Sequence, residues 1–123
     1  MATLELRGLE KHYGGIHAVD GIDVAVADGE FLAILGPSGC GKSTIMRMIA
    51  GLEMPSAGDV LIGGKSVTHL PPRARNVSMV FQSYALYPHM TVAQNIAFPL
   101  KVRGVPPAER ATKMAWAVGI MGI

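Results

Sequence analysis

Two segments near the start of the chain alternate polar and apolar residues, as expected for strands with one buried face. They are Thr3–Arg7 and Ile22–Val26, and a glycine-bearing loop over residues 11–15 lies between them. Asp28-Gly29 marks a hairpin turn into the next apolar run. The pattern therefore predicts an antiparallel β region at the amino-terminal end.

Two further runs are candidates for buried strands. Phe31–Leu35 is apolar without interruption, and Val77–Phe81 is a mainly apolar run that follows the chain break at Pro71-Pro72. Unbroken apolar runs of this length are typical of strands buried on both faces, as in a parallel sheet. The sequence therefore predicts an α/β core in addition to the antiparallel region.

Helical periodicity and end signals complete the pattern of elements. Ser43–Ala50 reads as a helix, and Gly51 suits its C-cap. Gly58–Gly64 reads as a short strand and turn. Thr91 can cap a helix that runs to about Lys101, and Pro107 begins another.

The first core strand and the first helix are joined by a glycine-rich loop that fits the pattern G-x-x-x-x-G-K-[ST]. Strand, loop and helix in this order are the context that a phosphate-binding P-loop requires. The pattern predicts a nucleoside triphosphate as ligand, and it does not match the dinucleotide fingerprint. The predicted nucleotide-binding residues here are Gly36, Pro37, Ser38, Gly39, Cys40, Gly41, Lys42, Ser43 and Thr44.

The chemistry of a P-loop assigns roles to these residue types. Backbone N–H groups between Gly36 and Lys42 converge on a phosphate, and the helix N-terminus adds its positive dipole end. Lys42 would reach the β- and γ-phosphates, and the Ser43 hydroxyl would ligate Mg²⁺. The alternative is a strand-to-helix turn without a ligand, which spacing and flanking elements disfavour.

Charge and cysteine content narrow the function classes. The net charge is only +2, although residues 60–123 carry seven basic groups and one acidic group. The basic groups are scattered singly, so a solvated face is favoured and no nucleic-acid partner is predicted. The single cysteine, Cys40, rules out an internal disulfide and suits a reducing cytoplasm.

Carboxylates are scarce in the second half of the chain. After Asp59 the only one is Glu109. P-loop ATPases hold Mg²⁺ partly with an Asp that ends a later apolar strand. Because no such strand occurs after residue 59, we expect the catalytic machinery to be incomplete in these 123 residues.

Two further features, together with the P-loop, carry a family resemblance. Phe81-Gln82 enters the stretch Tyr84–His89, and Tyr13 precedes the P-loop by about two dozen residues. This arrangement resembles the ATP-binding subunits of ABC transporters, and within them the sugar and glycerol-phosphate importers. The likeness extends from Leu6 to about Gly104.

The resemblance implies ATP and Mg²⁺ as cofactors and gives roles to single residues. Tyr13 resembles the aromatic that stacks on adenine, with a half-buried loop tyrosine as the alternative. Gln82 resembles the glutamine that reaches Mg²⁺ and the attacking water, with an ordinary strand-end residue as the alternative. On this basis the catalytic residues are Lys42 and Gln82, and the Mg²⁺ ligands are Ser43 and Gln82.

The resemblance also implies partners. The Tyr84–His89 region is similar to the surface that receives a helix of the membrane-spanning permease, although an ordinary loop remains the alternative. A second ATPase subunit would pair head to tail. The expected location is peripheral, on the cytoplasmic face of the inner or plasma membrane.

The implied fold is a P-loop NTPase core with an antiparallel β subdomain, incomplete, plus the start of a helical subdomain. Residues 1–123 correspond to the amino-terminal part of an ABC nucleotide-binding domain, since the signature motif, Walker B motif, switch His and regulatory domain do not occur in them. The expected function is ATP-driven carbohydrate import, with ATP binding but no hydrolysis by this chain alone. Another P-loop NTPase or kinase and a non-catalytic relic remain alternatives.

Overall fold

The structure is a computed structural model that describes residues 2–123. The chain divides into two compact units. The first unit ends at Met79, and the second comprises Val80–Ile123.

The first unit contains a four-stranded antiparallel sheet. Its strands are β1 (Leu4–Tyr13), β2 (Ile16–Val26), β3 (Ala57–Ile62) and β4 (Lys65–Ser66), in the order β2-β1-β3-β4. The predicted antiparallel region is therefore confirmed.

The first two strands are longer than the sequence pattern indicated. Tyr13 pairs with Ile16 and Lys11 with Val19, so most of the predicted loop belongs to a hairpin that turns at Gly14-Gly15. The pairing of β1 with β2 is interrupted by shifts of register at three places in β1, between Leu6 and Leu9, between Leu9 and Lys11, and between Lys11 and His12. Such bulges break the period-two alternation, which is why the pattern did not extend the strands.

One helix packs on this sheet. Helix α1 (Lys42–Ala50) contributes Ile45 and Met48 to a cluster that also contains Leu9 and Val60. Leu9, Met48 and Val60 are fully buried. Burial of each such side chain stabilises the unit by about 1.5–3 kcal/mol relative to exposure, so this cluster fixes α1 against the sheet.

The C-terminus of α1 is closed by Gly51 and a buried arginine. Gly51 has φ of +80°, which confirms the predicted C-cap. Arg75, 3% exposed, donates hydrogen bonds to four main-chain carbonyls, and burial lowers the pKa of its guanidinium. The acceptors are Met48, Ile49, Thr68 and Leu70.

The two predicted core strands are wrong. Neither Phe31–Leu35 nor Val77–Phe81 forms a strand, and Phe31 and Val80 are 91% and 92% exposed. Asp28-Gly29 does form a turn, but no strand follows it. A strand buried on both faces needs sheet neighbours on both edges, and within residues 2–123 neither run has a ladder partner.

Part of the first run lines an open apolar groove. Leu32 and Ile34 border this groove, whose volume is about 340 Å³, together with apolar side chains of β1, β2 and α1. The helix and sheet therefore present apolar surface beside the segment that precedes the P-loop.

The second unit consists mainly of two helices, α2 (Val92–Val102) and α3 (Pro107–Met121), which pack against each other. Thr91 caps α2 as predicted, and Gln94 completes a capping box. Pro107 occupies the first turn of α3, also as predicted. Among residues 2–123, no helix has the length and apolarity needed to cross a bilayer.

Candidate nucleotide-binding site

The glycine-rich loop leads directly into the N-terminus of α1. Gly41 is the N-cap residue, with φ of +94° and no side-chain capping bond. The Ile45 N–H donates to the Gly41 carbonyl at 3.0 Å and closes the first turn. The N–H groups of residues 42–44 have no acceptor one helical turn earlier, so this end offers donors to an anion.

Two glycines of the loop stand where a side chain would collide. A Cβ at Gly41 would lie 2.4 Å from the Ala18 carbonyl oxygen of β2. A Cβ at Gly36 would lie 2.6 Å from the Cys40 sulfur. The loop is therefore packed against the backbone of β2 at Gly41, whereas at Gly36 the near atom is the tip of a side chain.

Lys42 folds back over the loop. Its Nζ donates to the carbonyls of Gly36 at 2.6 Å and Pro37 at 2.7 Å, and it lies 3.5 Å from the Cys40 sulfur. These contacts hold a positive charge at the loop, next to the N-terminus of α1. Both features favour a negatively charged ligand at the same place.

The residues after Lys42 provide hydroxyl groups in the first turn. Ser43 is exposed and Thr44 is half-buried. An exposed hydroxyl in the first turn of the helix, next to its N–H donors, fits a magnesium–triphosphate group, because Mg²⁺ takes oxygen ligands from protein and phosphate together. The structure thus brings the predicted residues from Gly36 to Thr44 together at one helix end.

Tyr13 lies at the tip of the β1–β2 hairpin, whose second strand contacts Gly41. Tyr13 is 46% exposed as a residue. The Lys11 ammonium lies over the ring, 5.0 Å from its centroid. Tyr13 is therefore in the same unit as the P-loop and has ring surface open to a ligand.

Gln82 belongs to the second unit. It is exposed and stands in a turn that covers residues 82–85, not at the end of a strand as predicted. The expectation that its side chain serves Mg²⁺ stays a prediction.

The segment Tyr84–His89 is an exposed loop with a defined backbone. Tyr84 and Ala85 have φ of +62° and +51°, unusual values for residues other than glycine. Tyr84 is 79% exposed. Tyr87 packs against Phe98 of α2, with ring centroids 4.8 Å apart, and so anchors the loop to the helix.

Asn95 of α2 holds this loop in place. Its side-chain oxygen accepts from the Tyr87 N–H at 2.9 Å, and its Nδ2 lies 3.0–3.2 Å from the carbonyls of Tyr87, Met90 and Thr91. The sequence reasoning gave Asn95 no role of its own. A polar amide one turn inside a helix that follows a loop was the available signal.

Two more residues near Tyr13 were missed. Lys11 pairs with the Glu53 carboxylate, with Nζ and Oε1 2.6 Å apart. The hydrogen bond from Lys11 is the largest of the effects that together lower the pKa of Glu53. Because 41 residues separate the two in sequence, only the pairing of β1 with the segment after α1 brings them together.

The comparison with known families agrees with this geometry. The sequence profile of the family described as ABC transporter matches residues 19–123. The chain belongs to the ABC transporter family.

Relatives in this family carry importer names. The chain is 54% identical over 121 residues to the sn-glycerol-3-phosphate import ATP-binding protein UgpC of Ralstonia nicotianae, covering 98% of this chain and 33% of the relative. It is 52% identical to the sulfoquinovosyl glycerol transport ATP-binding protein SmoE of Agrobacterium fabrum, covering 100% of this chain and 34% of the relative. The chain thus spans about a third of the length of these relatives.

Solved structures of ATP-binding cassettes share the fold. A post-hydrolysis dimer of the cassette MJ0796 bound to ADP and Pi superposes with a TM-score of 0.84 at 27% identity, covering 98% of this chain and 57% of that one. A second dimeric structure of MJ0796 has a TM-score of 0.77 at 31% identity, and the superposition covers 87% of this chain and 52% of that one. The predicted class, an incomplete α/β ABC cassette, is confirmed.

Proposed function

We propose that this chain binds MgATP through its P-loop, as part of an ABC importer subunit that couples ATP binding and hydrolysis to solute uptake. The observation that carries the proposal is the uncapped N-terminus of α1, with the Lys42 ammonium held over the loop that leads into it. The names of the relatives support a carbohydrate or glycerol-phosphate compound as the solute.

Each end of the nucleotide has its own partners. The N–H groups of the loop and of the first turn of α1 bind the phosphates, and Lys42 neutralises part of their charge. We assign the Ser43 hydroxyl as a ligand of Mg²⁺, which would screen phosphate charge when bound. Tyr13 offers the ring face on which the base stacks, and stacking tolerates different bases.

For hydrolysis we propose that the 123 residues are insufficient by themselves. Phosphoryl transfer requires groups that position the attacking water and stabilise charge. The only carboxylate after Asp59 is Glu109, which forms an ion pair with Lys113 in the first turns of α3. Binding of MgATP without appreciable phosphate release is therefore the expected activity of this chain.

The test is MgATP binding by calorimetry together with phosphate release. Lys42→Ala should weaken binding at least tenfold, because it removes the cation at the loop. Lys65→Ala, in the exposed strand β4, is the matched control and should leave binding unchanged. Equal effects of both substitutions, or rapid Mg²⁺-dependent phosphate release by the wild-type chain, would contradict the proposal.

We further propose that the loop Tyr84–His89 binds a transmembrane permease subunit at the cytoplasmic face of the membrane, and that the intact subunit pairs with a second copy. The exposed apolar side chains of Tyr84 and Leu86, on a backbone anchored by Asn95, support a docking role. The dimeric cassette structures support the pairing.

Docking can be tested by co-purification of the intact subunit with its permease. Leu86→Glu should abolish co-purification and leave MgATP affinity unchanged. Val102→Glu, at a similarly exposed position at the end of α2, is the control and should have no effect. Undiminished co-purification of the Leu86→Glu variant would place the docking surface elsewhere.

A further inference from the structure

We infer that Lys11, held by Glu53, positions the Tyr13 ring for stacking on the nucleotide base. This inference rests on the proposed function, since it concerns the same binding site. It assigns a task to two charged residues that do not belong to the P-loop.

The contacts of the Lys11 ammonium carry the inference. Nζ lies 5.0 Å from the centroid of the Tyr13 ring, 2.6 Å from Glu53 Oε1 and 2.7 Å from the Met54 carbonyl oxygen. A cation within about 6 Å of an aromatic face is attracted by the ring quadrupole. One cation therefore joins the ring to two fixed acceptors on the segment after α1.

The Lys11 ammonium is fixed at this position, unlike that of a mobile surface lysine. Only 13% of the Lys11 side chain is exposed, against 46% for Tyr13 as a residue. An ion pair and a main-chain acceptor together occupy two of the three ammonium donors. Lys11 therefore covers one side of the ring, and a base can stack only on the other.

The acceptors are fixed in turn by main-chain bonds. The Glu53 N–H donates to the Arg47 carbonyl of α1 at 3.3 Å. The Ser56 N–H donates to the Glu10 carbonyl of β1 at 2.8 Å. The segment from Glu53 to Ser56 is therefore attached both to the P-loop helix and to the strand that carries Lys11 and Tyr13.

A ring already held in one orientation loses less conformational freedom when a ligand stacks on it. Lys11 and Glu53 act through Tyr13, so they are positioning residues and do not themselves contact the base. Their effect should appear in the affinity for the base and not in the affinity for the phosphates.

The experiment compares ATP with inorganic triphosphate, both with Mg²⁺, by calorimetry on the 123-residue chain. The readout is the ratio of the two dissociation constants, which measures the contribution of the nucleoside. Lys11→Met keeps the apolar stem and should reduce the preference for ATP about two- to fivefold, as expected for loss of a cation–π contact at a partly exposed site. Triphosphate affinity should stay unchanged.

Three variants test the role itself. Lys11→Arg, which retains a cation, should restore most of the preference for ATP. Glu53→Gln should reduce the preference as Lys11→Met does. In a chain that already carries Tyr13→Ala, Lys11→Met should have no further effect, because the ring that it positions is gone.

Failure of the inference and failure of the proposed function give different results. If Tyr13→Ala lowers the preference for ATP and Lys11→Met does not, the positioning role is wrong and base stacking stands. If the wild-type chain binds ATP no more tightly than triphosphate, stacking on Tyr13 and the positioning role are both wrong. A Lys11→Met variant that loses affinity for both ligands equally would show a general structural role and overturn the inference.

Discussion

Arg75 is the buried cation that closes the C-terminus of the P-loop helix, and its removal should destabilise the first unit strongly. Arg75→Met keeps an apolar stem but removes the donors to four main-chain carbonyls. A hydrogen bond from a charged donor contributes about 1.5–3 kcal/mol net. Burying the guanidinium costs several kcal/mol, which offsets part of the sum.

The expected net loss in the free energy of unfolding is about 3 kcal/mol, in the range found when one member of a buried charged network is removed. Urea denaturation measures it directly. With a slope of about 1.5 kcal/mol/M, the midpoint should fall by about 2 M while the slope stays constant. The urea midpoint of Arg75→Lys should lie between those of the wild-type chain and Arg75→Met, because an ammonium has three donors and cannot bond to four carbonyls.

Arg73→Met is the matched control for this substitution. Arg73 lies two residues earlier, in the short 3₁₀ helix Pro72–Ala74 whose C-cap residue is Arg75, and it is exposed. Its substitution should change the free energy of unfolding by less than about 0.5 kcal/mol. If the two variants unfolded at the same urea concentration, the network of carbonyl contacts would not be what stabilises the end of α1.

Three further predictions concern other parts of the chain. The pKa of the Asp59 carboxyl lies below its ordinary value of 3.8, chiefly because the carboxylate accepts a hydrogen bond from the Ser66 hydroxyl. The stabilisation that these hydrogen bonds give to the fold is complete above the unfolded-state pKa, and it is lost as the pH falls through the lower folded-state pKa. Asp59→Asn should therefore cost about 1 kcal/mol at pH 7 and progressively less below pH 4, and an equal cost at pH 3 would contradict this assignment. Cys40 should react with N-ethylmaleimide and be protected at least tenfold by saturating MgATP; undiminished alkylation would show that the triphosphate binds elsewhere. Asn95→Ala should speed proteolysis of the Tyr87 loop several-fold without changing ATP affinity, and an unchanged rate would show that the amide does not hold the loop.

Features encoded within a few neighbouring residues were predictable from the sequence. The helix after the P-loop, the Gly51 C-cap and the Thr91 N-cap are all placed where expected, because each depends on local backbone geometry. The glycines of the loop were recognised by spacing, and the close approach at Gly41 gives the physical reason for one of them.

Features that depend on pairing between distant segments were not predictable. Apolar composition made Phe31–Leu35 look like a core strand, but composition does not supply the neighbours that a strand must bond to. Conversely, the hairpin through Lys11–Tyr13 looked like a loop because glycines and bulges hide its alternation. The Lys11–Glu53 pair is invisible to any local pattern for the same reason.

The exposed apolar run before the P-loop has a consequence for handling the molecule. Phe31 and Leu35, both about nine-tenths exposed, flank a groove bordered by Leu32 and Ile34. Open apolar surface of this kind favours attachment of one molecule to another. The light-scattering intensity of the purified chain should therefore increase more than in proportion to its concentration, because the molecules associate. Ligand titrations should be carried out at concentrations low enough for the intensity to remain proportional to concentration.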